Sequence, residues 1–335
     1  WRFYIMKVTI AQIAKAAGVS PGSVSNALNN RKGAVSEKKR EHIIQVAEEL
    51  GYFKKGKRTG IITLVLYDGG ETIVQSEQPF FSALIRGMEE GCYQNDYQLR
   101  IRKVSSQDDK GILALDNISE SDGLLIMGTE MHFKDVEKFR HFKIPFVIVD
   151  NAYIMENCDF VAINNKDGMY EVTKLLIDRG YRTIGLINSL RMINNFKERK
   201  LGFLQALSDN DLAFNGDYEV FVEPHIEAGK SDFHAYLRQQ KELDLPLPDA
   251  FVAMNDYIAL GALRAMKEEG CFIPIAGFDD IEMARYSEPS LTTVRVNKED
   301  LGKIAVKRLI SKFENGEQSM KLLVNTSVVE RESTK

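Results

Sequence analysis

At 335 residues, 44% of them hydrophobic, the chain is long enough for a small module beside a large core, roughly two to three folding units that need neither metal nor disulfide for stability. Its three cysteines, Cys92, Cys158 and Cys271, are far apart and form no CxxC pair, which argues against a disulfide framework or a zinc site and fits a reducing cytoplasm. Net charge is −4 but unevenly divided: residues 1–60 carry 12 Lys+Arg against 4 Asp+Glu, or +8, and the remainder 32 against 44, or −12. That asymmetry is the footprint of a nucleic-acid-binding head on a soluble body.

Met6 is the expected start, with Trp1 to Ile5 an upstream extension too short for a secretory core. No run of about 18 apolar residues occurs, so no spanning helix is expected. Thr9-Ile10-Ala11-Gln12 reads as a capping box that opens a helix. Ile10, Ile13, Ala14 and Ala17 form its apolar face, and Gly18 stops it. Ser20 before Pro21 starts a second helix that runs to about Asn29. Val24, Ala27 and Leu28 point inward there, while Gly22, Ser23, Ser25, Asn26 and Asn29 present small or amide groups elsewhere. Ser36 with Glu37 opens a third, apolar at Ile43, Ile44, Ala47 and Leu50 and ending at Gly51. Lys38, Lys39 and Arg40 in its first turn oppose the helix dipole and ask for an anion nearby. Two short helices joined by a tight glycine turn and braced by a third make a helix-turn-helix.

KVTIAQIAKAAGVSPGSVSNALN, followed by VSEKKREHIIQVAEELGY, resembles the headpiece of the LacI/GalR family of bacterial transcriptional regulators. The resemblance implies that Pro21, Gly22 and Asn26 face base edges and that Thr9, Ser20, Ser23, Ser25 and Asn29 position phosphates. Between Tyr52 and Ile61 stand only FKKGKRTG, where the family carries a longer segment with a hinge helix whose Leu wedges into the minor groove. What remains is a basic tether with four cations and two glycines, in which Lys54 and Lys55 are expected on phosphates.

From Ile61, apolar strands alternate with helices: IITLVLY, a helix near 79–95, DGLLIMG, a helix near 133–141, then PFVIVD. A second series has VTKLLIDRG helical, TIGLIN a strand, FKERKLGFLQALSDN helical, AFVAMN a strand and DYIALGALRAMKEEG helical. The fold class is therefore α/β, a small all-α helix-turn-helix followed by two lobes, each a doubly wound parallel sheet. VAINNKDG, RKLGFLQAL, GFDDIEMARYSEPSLTTVRV and VVERES extend the family resemblance, and it implies a periplasmic-binding-protein-like sensor. The expected organisation is a headpiece over 6–53, a linker over 54–60 and an effector domain over 61–335. Within the last, the first lobe takes about 61–160 and 291–319, and the second about 161–290 and 320–335.

Ligands of doubly wound sheets sit at the carboxyl ends of strands. Asp150, Asn255 and Asp279 close strands, Arg199 opens RKLG, and Phe80 and Phe81 precede the helix after the first strand. Each matches a family ligand position; Asn151 and His225 fall near the same cleft. Carboxylates accept from paired hydroxyls and Arg offers a rigid donor fork, so a sugar or sugar phosphate is the expected effector. Each residue also has a plain structural role open to it, Asp279 and Asn255 as helix caps and the two Phe side chains as core.

The whole reads as a cytoplasmic homodimeric regulator, expected to be a repressor, on a pseudo-palindromic DNA operator. No catalytic residue, cofactor, metal or membrane contact is expected. GxxxxGK[ST] and HExxH are missing, no GxSxG elbow or GxGxxG follows a strand, and the five histidines are scattered. The main alternative is a DNA-binding regulator whose sensor the short linker has uncoupled; a solute-binding protein would leave the head unexplained.

Overall fold

The computed structural model describes residues 9–28, 35–50, 59–71, 73, 78–118, 120–153 and 158–335. Contacts divide the chain after Thr59 into two units. The first holds α1 (Ile10–Ala16), α2 (Pro21–Leu28) and α3 (Glu37–Glu49). Thr9 forms the expected capping box with Gln12, and Gly18, at φ +64°, lets Val19 N–H return to the Ala14 carbonyl. Ser23 N–H donates to Ser20 Oγ, so that Ser20 caps α2. Ile13, Ala14, Ala17, Val24, Ala27, Ile43 and Ala47 form the core. Leu50, expected on the inner face of the third helix, is 39% exposed; Val46 packs in its stead because α3 ends before the stripe reaches Leu50.

The second unit runs β1 (Ile61–Asp68), α4 (Pro79–Tyr93), β2 (Gln98–Ser105), α5 (Asp109–Leu115), β3 (Gly123–Met127), α6 (Phe133–Glu137), β4 (Phe146–Val149) and β5 (Asp159–Ile163). It continues with α7 (Asn165–Asp178), β6 (Ile184–Ser189), α8 (Asn194–Ser208), β7 (Glu219–Val222), α9 (Ile226–Glu242), β8 (Ala250–Ala253) and α10 (Asp256–Glu269). Last come β9 (Ile275–Asp279), α11 (Glu282–Tyr286), β10 (Thr292–Arg295), α12 (Lys298–Asn315), β11 (Lys321–Val324) and β12 (Ser327–Val329). One sheet has the order β11-β5-β4-β3-β1-β2, the other β12-β10-β9-β8-β6-β7. All pairs are parallel except β10 with β12. The central strands β3, β4, β5, β8 and β9 are buried along their whole length, as parallel strands covered on both faces must be.

The lobes exchange chain later than expected. β5 stays in the first sheet through Ile163, β10 pairs with β9 in the second, and β11 returns to pair with β5 in the first. The expected borders at 160, 290 and 320 therefore move to the loops after β5, β10 and β11, because each strand completes its ladder before the chain leaves. α12 does lie on the first lobe, against α4. The two helices approach so closely that a Cβ on Gly87 would stand 2.1 Å from the Glu299 carbonyl oxygen, and one on Gly302 2.5 Å from that of Leu84. The far end of α12 is anchored by buried Asp159, which accepts from Arg308 Nε at 2.7 Å, from Lys312 Nζ and from the backbone N–H of Met320 at 3.0 Å.

Candidate effector site and DNA-binding head

In both sheets the strand order reverses beside the first strand, β1 next to β3 and β6 next to β8, which opens a crevice at the carboxyl ends. The two crevices face one another. Between them lies a cavity of about 40 Å³, lined among others by Phe80, Phe81, Thr129, Asp150, Asn195, Arg199, His225, Asn255, Tyr257 and Asp279. Seven of the eight residues expected at the cleft meet there, His225 among them. The eighth, Asn151, is fully buried and does not line the cavity: its Nδ2 donates to the carbonyls of Gly128 at 2.7 Å and Met131 at 2.9 Å.

Arg199 is the hub on the second lobe. Its Nε donates to Asn165 Oδ1 at 2.8 Å, one terminal nitrogen to the Met254 carbonyl at 2.7 Å, and the other to Asp279 Oδ1 at 3.1 Å. The guanidinium stacks 3.7 Å from the Phe278 ring centroid, so its plane is set by packing as well as by hydrogen bonds. Asp279 therefore binds Arg199 rather than capping a helix, whereas Asn255 does cap α10, its Oδ1 accepting from Ile258 N–H at 3.0 Å. Phe80 and Phe81 sit inside the first turn of α4, not before it, packed edge-to-face with centroids 5.1 Å apart.

Asp150 answers from the first lobe, accepting from Thr129 Oγ1 at 2.6 Å and, across the cleft, from Asn195 Nδ2 at 3.2 Å. Beside it, Asn194 Nδ2 donates to Asn151 Oδ1 at 3.1 Å, a second bond between lobes. Asp150 and Asp279 both hold positive φ, +61° and +116°, a conformation costly for residues with a Cβ and frequent where function demands it. Burial pushes the Asp150 carboxyl up to about 7, against the pull of Thr129 and Arg199. Burial likewise raises Asp279 in spite of Arg199, and raises Asp256, behind it, with help from the Asp279 charge. Asp256 accepts from Thr293 Oγ1 at 2.5 Å and Ile281 N–H at 2.9 Å, tying the start of α10 to the strand ends. Burial lowers the Lys298 ammonium, whose Nζ donates to the carbonyls of Asp279, Asp280 and Val296.

Sequence reasoning missed Thr129, Asn195 and Tyr257. Asn195 was hidden by the helix start: α8 begins at Asn194, so Asn195 and Arg199 stand i and i+4 on one face. Thr129 stands two residues past the end of β3, as Asn255 does past β8, so the strand-end rule that found Asn255 applies equally to it. No group of His, Cys, Asp and Glu among the described residues is placed to hold a metal ion, and none of their helices is long and apolar enough to cross a membrane.

In the head, Thr9, Ser20, Pro21 and Gly22 are exposed and Ser23, Ser25 and Asn26 half-buried. Thr9 and Ser20 are engaged as caps, and Ser23 Oγ lies 3.0 Å from Ser20 Oγ. Asn29, Lys54 and Lys55 lie outside the described residues.

A helix-turn-helix unit and a two-lobed unit with a cleft between strand ends define a DNA-binding protein with a binding-protein-like sensor. Residues 9–54 match the model of the bacterial regulatory proteins of the lacI family, and residues 173–334 that of a periplasmic binding protein-like domain. The ribose operon repressor of Haemophilus influenzae is 31% identical over 94% of this chain and 95% of its own. The HTH-type transcriptional repressor PurR of Histophilus somni is 30% identical over 98% and 99%. The lac repressor dimer bound to operator and the anti-inducer ONPF superposes with a TM-score of 0.72 at 22% identity, over 98% of this chain and 99% of that one. The chain belongs to the LacI family and is a DNA-binding transcriptional regulator.

Proposed function

We propose that this regulator is a cytoplasmic homodimeric repressor, without enzymatic activity, whose affinity for a pseudo-palindromic operator is set by a sugar or sugar phosphate held between the lobes. The observation that carries this reading is the convergence of Phe80, Phe81, Asp150, Arg199, Asn255 and Asp279, drawn from both lobes, on one cavity. Asp150 and Asp279 suit paired hydroxyls, and the name of the Haemophilus relative points the same way. Pro21, Gly22 and Asn26 serve base reading, with Thr9, Ser20, Ser23, Ser25, Asn29, Lys54 and Lys55 at phosphates. A ligand that bridges Asp150 and Asp279 favours the closed arrangement of the lobes, and by linkage it changes operator affinity by the factor by which operator changes its own.

The test is selection of an operator from random DNA, then titration of that DNA with and without the ligand that binds best among sugars, sugar phosphates and purines. A severalfold change in operator affinity supports the coupled regulator. Ligand binding with unchanged operator affinity would instead mean that the short tether has uncoupled the two units.

A further inference from the structure

The carboxyls lining the cavity outnumber its guanidinium and ammonium groups. Among the described residues Arg199 is the single guanidinium or ammonium lining it, and Arg199 is already committed to Asn165, Met254 and Asp279. Against it stand Asp150 and Asp279 from opposite lobes and a third acceptor, Asn195 Oδ1. That oxygen is buried on a residue 3% exposed and has no hydrogen-bond partner among the described residues, while the amide's other end is spent on Asp150. Leaving such an acceptor unpaired is unfavourable, so a ligand that brings a donor to it gains. The phenol of Tyr257, on the same wall, is a further buried hydroxyl without a partner among the described residues.

A hydroxyl supplies both a donor and an acceptor, whereas an ionised phosphate supplies acceptors and up to two negative charges. Brought into a low-dielectric space beside two carboxyls, that charge is repelled: Arg199 on the wall is already paired with Asp279, and Lys298 behind it is held by the carbonyls of Asp279, Asp280 and Val296. Burial has pushed Asp150 far above the ordinary carboxylate range, so the site already resists holding its own negative charge. Size adds a second filter. About 40 Å³ of free space holds a few waters, since about 10–15 Å³ suffices for one; that is less than one sugar ring, so the lobes must part to admit a ligand and a second ring would have to part them further.

Resting on the reading of this cavity as the effector site, we propose that it takes an uncharged monosaccharide and rejects the phosphorylated form, with Asp150, Asp279 and Asn195 Oδ1 as acceptors for the sugar hydroxyls.

The experiment is calorimetric titration of the full-length protein with ribose, glucose and galactose, with ribose 5-phosphate and glucose 6-phosphate, and with cellobiose and hypoxanthine. The expected result is one neutral monosaccharide bound, and its phosphate and cellobiose each bound at least a hundredfold more weakly. A phosphate ester bound as tightly as its parent sugar would overturn the exclusion while leaving the sugar reading intact; hypoxanthine bound and no sugar would overturn both. In Asp150→Asn the gap between sugar and phosphate is expected to narrow at least tenfold, and in Asn195→Ala the neutral sugar alone to weaken about tenfold, with both variants checked by circular dichroism to be folded at the titration temperature. A gap unchanged in Asp150→Asn would show that the carboxyl is not what discriminates.

Discussion

Replacing Arg199 by Lys keeps the charge but removes the fork. The three acceptors that Arg199 serves, Asn165 Oδ1, the Met254 carbonyl and Asp279 Oδ1, are all buried and lie around the plane of one guanidinium. A single ammonium reaches one of them well, preferring Asp279 by charge. Two buried acceptors are then unpaired, at about 1–3 kcal/mol each. Loss of the stack on Phe278 removes up to about 2 kcal/mol more. The net expectation is a loss of roughly 3–5 kcal/mol from the two-lobed unit, which at about 2–3 kcal/mol per molar of urea moves its unfolding midpoint down by more than about 1 M. Urea titration followed by tryptophan-independent circular dichroism at helix wavelengths measures this directly. A midpoint within about 0.3 M of the parent, with unchanged slope, would refute the view that Arg199 is a structural hub as well as a ligand contact.

Asp150→Asn tests the buried carboxyl. Because burial raises Asp150 in the folded state from 3.8 to about 7, the folded protein holds that proton more tightly than the unfolded chain. Its contribution is complete below about pH 4 and is lost as pH climbs to about 7, a span of roughly 4 kcal/mol. The variant is therefore expected to lose less stability than the parent between pH 4 and 8, and parallel curves would sink the argument. Gly87→Ala pushes a methyl into the Glu299 backbone, where overpacking costs about 1–3 kcal/mol and outweighs the better helix propensity; a raised melting temperature would contradict the close approach of α4 and α12. Replacing Lys54, Lys55, Lys57 and Arg58 with Ala is expected to weaken binding to all DNA and flatten its salt dependence by about one unit per lost phosphate contact, whereas Asn26→Ala is expected to change base preference at one position per half-site. Filter binding across salt and sequence separates the two.

The head was legible because its signals are local. A capping box, a Ser-Pro start and a glycine stop each act within four residues, and α1 and α2 begin where those residues stand. The central strands were legible as unbroken apolar runs. The edges were not: β2, QLRIRKVS, is charged and largely exposed at the rim of its sheet, and β7 is four residues long. α9 went unread because it buries only a narrow stripe, Gly229, Phe233 and Leu237, on a polar helix. Strand ends led to Asp150, Asn255 and Asp279. They misled at Asn151, since adjacency to Asp150 in sequence says nothing of which way the next side chain turns, and here it satisfies the carbonyls of the loop after β3. Asn195 depends on where α8 begins, which its flanking residues do not announce with a side-chain cap.

The threefold passage of the chain between lobes has a consequence for how the protein is made. β11 completes the first sheet and β12 the second, and Ser333 and Thr334 are buried against the second lobe by bonds to Ile275, Thr292 and Arg179. During synthesis neither lobe can reach its full set of strands until residues 321–334 have left the ribosome, although the head, whose hydrophobic core is drawn from the first fifty residues, is free to fold long before. A nascent chain thus carries a finished DNA reader ahead of an unfinished sensor, and a premature stop after α12 would leave two open sheet edges beside a working head.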